Sequence, residues 1–357
     1  MPPESRHAEF SPLTRPRVLD VTVLVTEGSF ASTAVAPIEI FNSAGTLWNA
    51  FQGSDGQPRF QVTIASVDGA DVNSSCRLGL IPHVAIEQVT HADIILLPAS
   101  GLDIQDRIMR ESALIPWLRT WYDRSAYIAG ICTGVAFVAE SGLLDGRRGT
   151  THWATANIFR ERYPQVHWCP DEFVTEDGRV LCSGGVYASV DLSLYLVEKF
   201  CGHEIALQCS KALLLSMPRL KQAGYGLIPI SRPHSDDRIR AVEEYLRDNF
   251  ERPLSVEYIA NHFGMAERTF IRRFKGATGR LPGAYVQALR VAAAREFLER
   301  GGLPIVTICS KIGYDDIGFF RRLFKRHTGM TPSEYRSQFS NMRIARGEIL
   351  GDRVAAA

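Results

Sequence analysis

Between residues 256 and 335 the chain repeats itself at an offset of fifty residues, and a repeat of that length restricts the fold more than any other feature here. The matches are identities: Val256 with Val306, Phe270 with Phe320, Arg272 with Arg322, Phe274 with Phe324, Lys275 with Lys325, Thr278 with Thr328, Gly279 with Gly329, Pro282 with Pro332 and Tyr285 with Tyr335. Each copy reads as a short helix, a glycine-bearing turn (Gly264; Gly313) and a second helix, which is the helix-turn-helix plan. Helical spacing puts Phe270 and Phe274 on one face as anchors and leaves Arg268 and Arg272 opposite them, with Ile271 beside. In the second copy Phe320 and Phe324 anchor, and Gly318, Arg321 and Arg322 face outward. An arginine fork can bond guanine bidentately, worth about 1–3 kcal/mol of discrimination. A basic run alone describes a solvated face of an ordinary bundle. Turn, anchors and arginines repeated together point instead to the major groove of DNA.

Charge distribution agrees. The net formal charge is +1, but residues 235–357 hold 21 Lys/Arg against 15 Asp/Glu and the remainder 19 against 24, so a part at +6 follows a part at −5. Local positive charge is what phosphate neutralisation needs. A chain of 357 residues exceeds one ordinary core, and 45% apolar with 22% charged residues is a globular balance. The seven cysteines are scattered, without a C-x-x-C pair or zinc-like His spacing, which fits a reduced interior and announces neither metal nor organic cofactor. The first sixteen residues lack a secretory apolar run and no later run has membrane-spanning length, so a cytoplasmic protein is expected.

Ahead of the repeat, Arg17–Val25, Phe60–Val67, Ala92–Pro98 and Ala126–Ile131 are continuous apolar runs of the kind that form parallel strands covered on both faces. Helical patterns at 104–122, 134–141, 186–199 and 204–215 alternate with or follow them, which predicts a layered α/β domain. Residues 217–237 carry three prolines and two glycines, a linker composition. The expected organisation is a tail at 1–16, an α/β domain at 17–216, a linker at 217–237, an all-α double helix-turn-helix domain at 238–340 and a tail at 341–357.

Residues 238–340, ending in HTGMTPSEYR, resemble the DNA-binding domain of the AraC/XylS family of transcriptional activators. The resemblance implies two helix-turn-helix units joined by a long helix, here Pro282–Arg300, entering successive major grooves. It carries base reading onto Arg268, Ile271 and Arg272 in one unit and Gly318, Arg321 and Arg322 in the other, with promoter DNA and RNA polymerase as partners.

The segment AYIAGICTGVAFVAESGLL sets Cys132 between a strand and a helix, a nucleophile-elbow position where small neighbours Gly130 and Gly134 permit a sharp turn and a helix N-terminus favours a thiolate. The plain alternative is a buried cysteine serving as a small hydrophobe. Three patterns, PIEIF at 37–41, GICTG at 130–134 and TTHW at 150–153, resemble the PfpI-like branch of the class I glutamine amidotransferase-like fold, a flavodoxin-like α/β architecture. That resemblance implies that Glu39 approaches Cys132 with His152 nearby. It also implies a lost base, because Thr133 stands where hydrolytic members carry histidine. A PfpI-like domain followed by an AraC-type one implies a dimeric regulator whose old active site, lined by Glu39, Ser100, Gly101, Cys132, Thr133, His152 and Trp153, holds an effector without catalysis. Glu39 and the Trp153 ring would suit a cationic nitrogenous metabolite, an amino acid or quaternary amine, although Trp153 reads equally well as a core aromatic. The competing expectations are a cysteine-dependent hydrolase and a redox sensor fused to a DNA-binding domain.

Overall fold

The computed structural model describes residues 17–216, 225, 230–232 and 234–340. The chain divides into two compact units, Met1–Leu220 and Lys221–Ala357. Both expected tails and most of the expected linker lie outside the described residues.

In the first unit the apolar runs become a seven-stranded sheet. Its strands are β1 (Leu19–Leu24), β2 (Phe60–Ser66), β3 (Val84–Ala85), β4 (Ile94–Leu97), β5 (Tyr127–Ile131), β6 (Val174–Asp177) and β7 (Val180–Ser183). The order is β6-β7-β5-β4-β1-β2-β3, parallel throughout except for β6 against β7. Side chains alternate across a strand, and both faces are covered. Ile94 and Leu96 pack with Ile40, Phe41 and Leu192 on one side, whereas Ile95 and Leu97 pack with Leu118, Ile128 and Phe137 on the other. From β1 the chain steps outward to β2 and β3, then crosses back to β4, so strand order reverses between β1 and β4. In such sheets a crevice opens at that switch point, beyond the carboxyl ends of the strands.

Two sequence expectations change. The helix expected over 104–122 is two helices, Ile104–Arg110 and Leu114–Asp123. Pro116 has no N–H to donate, and its ring would clash with the carbonyl four residues back, so the break falls ahead of it. The β6–β7 hairpin is missed by apolar patterning because its strands have four residues each. The Asp177-Gly178 turn marks it, with Gly178 at φ +63° in the first central position.

The second unit is helical and built twice. Asp237–Asn249 leads in; Val256–His262 and Glu267–Thr278 form the first copy; Pro282–Arg300 connects; Ile305–Lys311 and Ile317–Thr328 form the second copy; Pro332–Phe339 closes. The repeated residues do repeated work. Phe270, Phe274 and Tyr285 form one aromatic chain, with centroid separations of 5.5 and 5.2 Å, and Phe320, Phe324 and Tyr335 form its counterpart at 5.7 and 5.3 Å. The Thr278 and Thr328 hydroxyls bond back to the Phe274 and Phe324 carbonyls, and Gly279 and Gly329 take left-handed φ of +80° and +77° to end their helices. Pro282 and Pro332 then start the next helices, where a missing N–H costs nothing.

The repeat is not uniform. Ser255 and Pro304 are equivalent N-caps, and Ile259-Ala260 matches Ile308-Cys309 as the buried pair, so the first helices correspond at an offset of 49. The second turn carries one extra residue, which restores an offset of 50 for the second helices. Val256 therefore corresponds to half-buried Ile305, and the Val256–Val306 identity is a coincidence of numbering, with Val306 65% exposed.

This register has a direct test. Ile308→Ala should cost about 2–5 kcal/mol and Phe324→Ala about 3–5 kcal/mol, whereas Val306→Asp should stay within about 0.5 kcal/mol. Chemical denaturation of the full chain measures all three, and a Val306→Asp loss as large as that of Ile308→Ala would refute the 49-residue register.

Candidate functional site

Two regions collect the residues singled out by sequence. On helix Glu267–Thr278 the anchors Phe270 and Phe274 are fully buried, Arg268 and Arg272 are exposed, and Ile271 is half-buried between them. On helix Ile317–Thr328, Phe320, Leu323 and Phe324 are buried, Arg321 and Arg322 are exposed, and Gly318 is half-buried. Each copy thus presents two arginines on a helix whose opposite face is locked into aromatic packing.

The helix starts differ. Asp316 caps the second recognition helix, accepting from the Gly318 and Phe319 amides at 2.7 and 3.0 Å, whereas Ala266 supplies no side-chain cap to the first. The Phe319 amide above all, with the Gly318 amide and the Arg322 charge, holds the Asp316 carboxyl below its ordinary range. A Cβ on Gly318 would sit 3.1 Å from Asp316 Oδ1 and 3.4 Å from Arg322 Nη1. A side chain at Gly318 would therefore crowd both the Asp316 cap and the Arg322 guanidinium.

Arginines near the first recognition helix are committed elsewhere. Arg273 makes a two-pronged bond to Asp236 at 2.6 and 2.9 Å, and Arg232 donates to the carbonyls of Gly276 and Ala277. With the His234–Glu243 contact at 2.9 Å, these bonds fasten Arg232, His234 and Asp236 onto the leading helix and the first copy.

The other region lies beyond the carboxyl ends of β1, β4, β5 and β7. Cys132 follows β5 at φ +54°, a conformation costly for a non-glycine residue. Flanking glycines allow it: a Cβ on Gly130 would come within 2.8 Å of Val135 Cα, and one on Gly134 within 2.2 Å of the Pro98 carbonyl oxygen. The elbow predicted from sequence is present, but its thiol is only 6% exposed. Burial pushes the thiol up to about 11, against weaker opposing bonds from Thr133 and the His152 backbone. Burial outweighs the helix terminus that sequence suggested would favour a thiolate.

Among the described residues the thiol bonds Thr133 and the His152 backbone rather than an imidazole or a carboxylate. His152 Nδ1 accepts from the Ala154 amide at 3.1 Å, which assigns the ring proton of the neutral form to Nε2, and burial lowers the pKa further. Thr133 Oγ1 accepts the Ser100 amide at 3.0 Å, and Thr151 donates to the Cys132 carbonyl at 3.0 Å. Thr133 is thus a brace for the elbow loop and ties it to the loop carrying Ser100 and Gly101.

Glu39 does not belong to this group. It is exposed on helix Ser32–Ser43, whose buried residues are Thr33, Ala34, Pro37, Ile40 and Phe41. At 100° per residue these cluster on one side and Glu39 projects from the other. Thr33 reaches the crevice instead: its hydroxyl accepts the Ala99 amide at 3.0 Å. His152 and Trp153 are half-buried neighbours with ring centroids 5.3 Å apart, and His152 Cδ2 lies 3.6 Å from where a Cβ on Gly185 would sit. Sequence reading also missed Ser183, which ends β7 opposite Ile131. The Ser100 and Ser183 hydroxyls are buried with no bonding partner among the described residues. The Ser-Gly-Gly that follows a short apolar strand was the available signal.

Asp20, His91 and Asp93 bring possible metal ligands together at the other end of β1, but Arg17 already places its guanidinium 2.7 Å from Asp93. A bound cation there would compete with that guanidinium. Among the described residues no helix is long and apolar enough to cross a membrane.

The DJ-1/PfpI family matches residues 20–199 and a helix-turn-helix domain family matches residues 259–338. The HTH-type transcriptional regulator CdhR of Pseudomonas aeruginosa is 28% identical over 276 residues, covering 77% of this chain and 81% of that protein. The HTH-type transcriptional regulator GbdR of the same species is 22% identical over 307 residues, covering 85% and 80%. Isonitrile hydratase of Pseudomonas putida is 29% identical over 150 residues, covering 42% of this chain and 63% of that protein.

Burial separates the cysteines in a way that alkylation can read. Cys76 is exposed and its thiol is lowered, chiefly by its bond to Ser74. In the folded chain iodoacetamide should label Cys76 at pH 7–8 and leave Cys132 unlabelled until the pH approaches 11. Peptide mapping that found Cys132 modified first at neutral pH would overturn the inert-thiol reading.

Proposed function

The chain belongs to the DJ-1/PfpI family through its first unit and carries an AraC-type helix-turn-helix domain in its second; from that premise we propose that this transcriptional regulator is switched by a small nitrogenous metabolite bound in the crevice. The observation that carries the reading is the elbow without its chemistry. Cys132 is buried, its thiol stays protonated, and His152 directs no lone pair at it. Such a site is equipped to bind and poorly equipped to transfer an acyl group or report oxidation.

With Glu39 turned outward, recognition of a cationic group rests on the Trp153 ring face. The buried Ser100 and Ser183 hydroxyls supply hydrogen bonds to the remainder of the molecule. A quaternary amine suits this division, since it seeks an aromatic face and needs no hydrogen-bond acceptor. Amino acids share the charged nitrogen and remain within the class.

At DNA, Arg268 and Arg272 read one stretch of major groove and Arg321 and Arg322 the next, with Ile271 adding apolar contact. The effector acts by binding one arrangement of the regulator more tightly than another. A homodimer would join two such readers and raise affinity through effective concentration. Activation through contact with RNA polymerase, in the cytoplasm, completes the proposal.

The first experiment is thermal unfolding of the full chain with L-arginine, carnitine and glycine betaine, because a ligand that binds only the folded state raises the melting temperature. The hit should also change affinity for a cognate DNA site, and Cys132→Ala should preserve that response. Loss of the response in Cys132→Ala would favour a catalytic or redox role. Arg272→Ala and Arg322→Ala should each reduce discrimination for the selected site by about 1–3 kcal/mol. Unchanged sequence preference in both variants would remove these arginines from base reading.

A further inference from the structure

We propose that Arg290 is a positioning residue that restrains the relative orientation in which the two helix-turn-helix copies read DNA, an inference that rests on the DNA-binding reading above. Pro282–Arg300 is one continuous helix of nineteen residues. Its Tyr285 and Leu289 belong to the first core, and its Val291, Ala294 and Leu298 belong to the second. Arg290 stands at the residue between the two sets.

Its guanidinium grips both copies. Nε donates to the Phe250 carbonyl at 2.7 Å and Nη2 to the Arg252 carbonyl at 2.9 Å, both in the segment that enters the first copy. Nη1 donates to the Gly313 carbonyl at 2.8 Å, in the turn of the second copy. The same group lies 4.7 Å over the Tyr314 ring. Backbone meets backbone at this point: a Cβ on Gly313 would fall 2.1 Å from the Glu251 carbonyl oxygen. With φ at +81°, Gly313 is suited to that approach.

The continuous helix fixes the axial distance between the copies. It does not by itself fix how far each copy rocks about that helix, because each is seated in its own apolar core, with half-buried Phe250 packed against both. Fixed hydrogen bonds to three carbonyls supply the missing restraint. A planar fork with divergent donors can make all three at once, and a lysine ammonium on a flexible stem cannot. Two reading heads held at one separation should demand one separation between their DNA boxes.

The test uses the full chain and a bipartite site selected from random duplex DNA, then varied by one or two base pairs between its halves. The wild type should lose about tenfold or more in affinity on each change, since every inserted pair shifts and rotates one box relative to the other. Arg290→Ala should bind the original site about tenfold more weakly and lose only about threefold per inserted or removed pair, because the rotation of one copy against the other is no longer resisted while the helix still holds their axial distance. Arg290→Lys, which keeps the charge and most of the stem, should behave like Arg290→Ala. Binding of each variant to an isolated half-site should match the wild type, a readout that general unfolding would not leave intact. Retention of the wild-type spacing penalty by both variants would overturn the proposal, as would equal losses on half-site and bipartite site. A wild-type chain that selects no bipartite sequence would instead refute the DNA-reading assignment beneath it.

Discussion

The connecting helix has to serve two cores at once, and the second unit is organised around that requirement. A nineteen-residue helix is roughly 28 Å long, enough for its two ends to enter separate cores. Each end therefore carries its own aromatic set. Tyr285 closes the first against Phe274, and Tyr335, on the last helix, closes the second against Phe324. Because these anchors fill the inner faces of the recognition helices, Arg268, Arg272, Arg321 and Arg322 have only the outer faces left. Exposure of these four arginines follows from core packing.

The first unit shows a different arrangement, in which a nucleophile-elbow turn is built around a buried thiol. Gly130 and Gly134 allow the sharp turn, and Cys132 adopts its positive φ. Desolvation keeps the thiol protonated, and the Thr133 and Thr151 hydroxyls beside it are engaged with the Ser100 amide and the Cys132 carbonyl. What the crevice offers a visitor is a half-buried aromatic pair and two buried hydroxyls. The relatives named as transcriptional regulators span most of this chain, whereas the enzyme relative spans less than half of it, which places the regulatory architecture, rather than the α/β fold alone, as the shared feature.

Between these regions, the last residues before the helical domain are fastened to it. Asp236 caps the leading helix at Ile239 while binding Arg273, and His234 meets Glu243 on the same helix. The segment arriving at the first copy is thus bonded to its recognition helix and to the helix before it. A displacement of that segment has to be shared by the recognition helix, because the Asp236–Arg273 pair and the Arg232 bonds to the helix carbonyls would otherwise be lost.

Local chemistry made much of this legible. Apolar runs announced β1, β2, β4 and β5, and the spacing of Phe, Arg, Thr, Gly and Pro announced both helix-turn-helix copies, because strands and helices impose periods that any chain must write into its residues. Three-dimensional arrangement decided the rest. Whether Glu39 faced the elbow depended on which side of its helix the sheet buried. Whether the thiol ionised depended on how deeply loops from distant segments covered it. The extra residue in the second turn was masked by the fifty-residue identities, and Arg290, one arginine among many, gained its role only when three carbonyls from two separate segments converged on it. Composition and periodicity specify which faces will be buried; which groups then meet across those faces depends on contacts between residues far apart in the chain, and these leave no local mark.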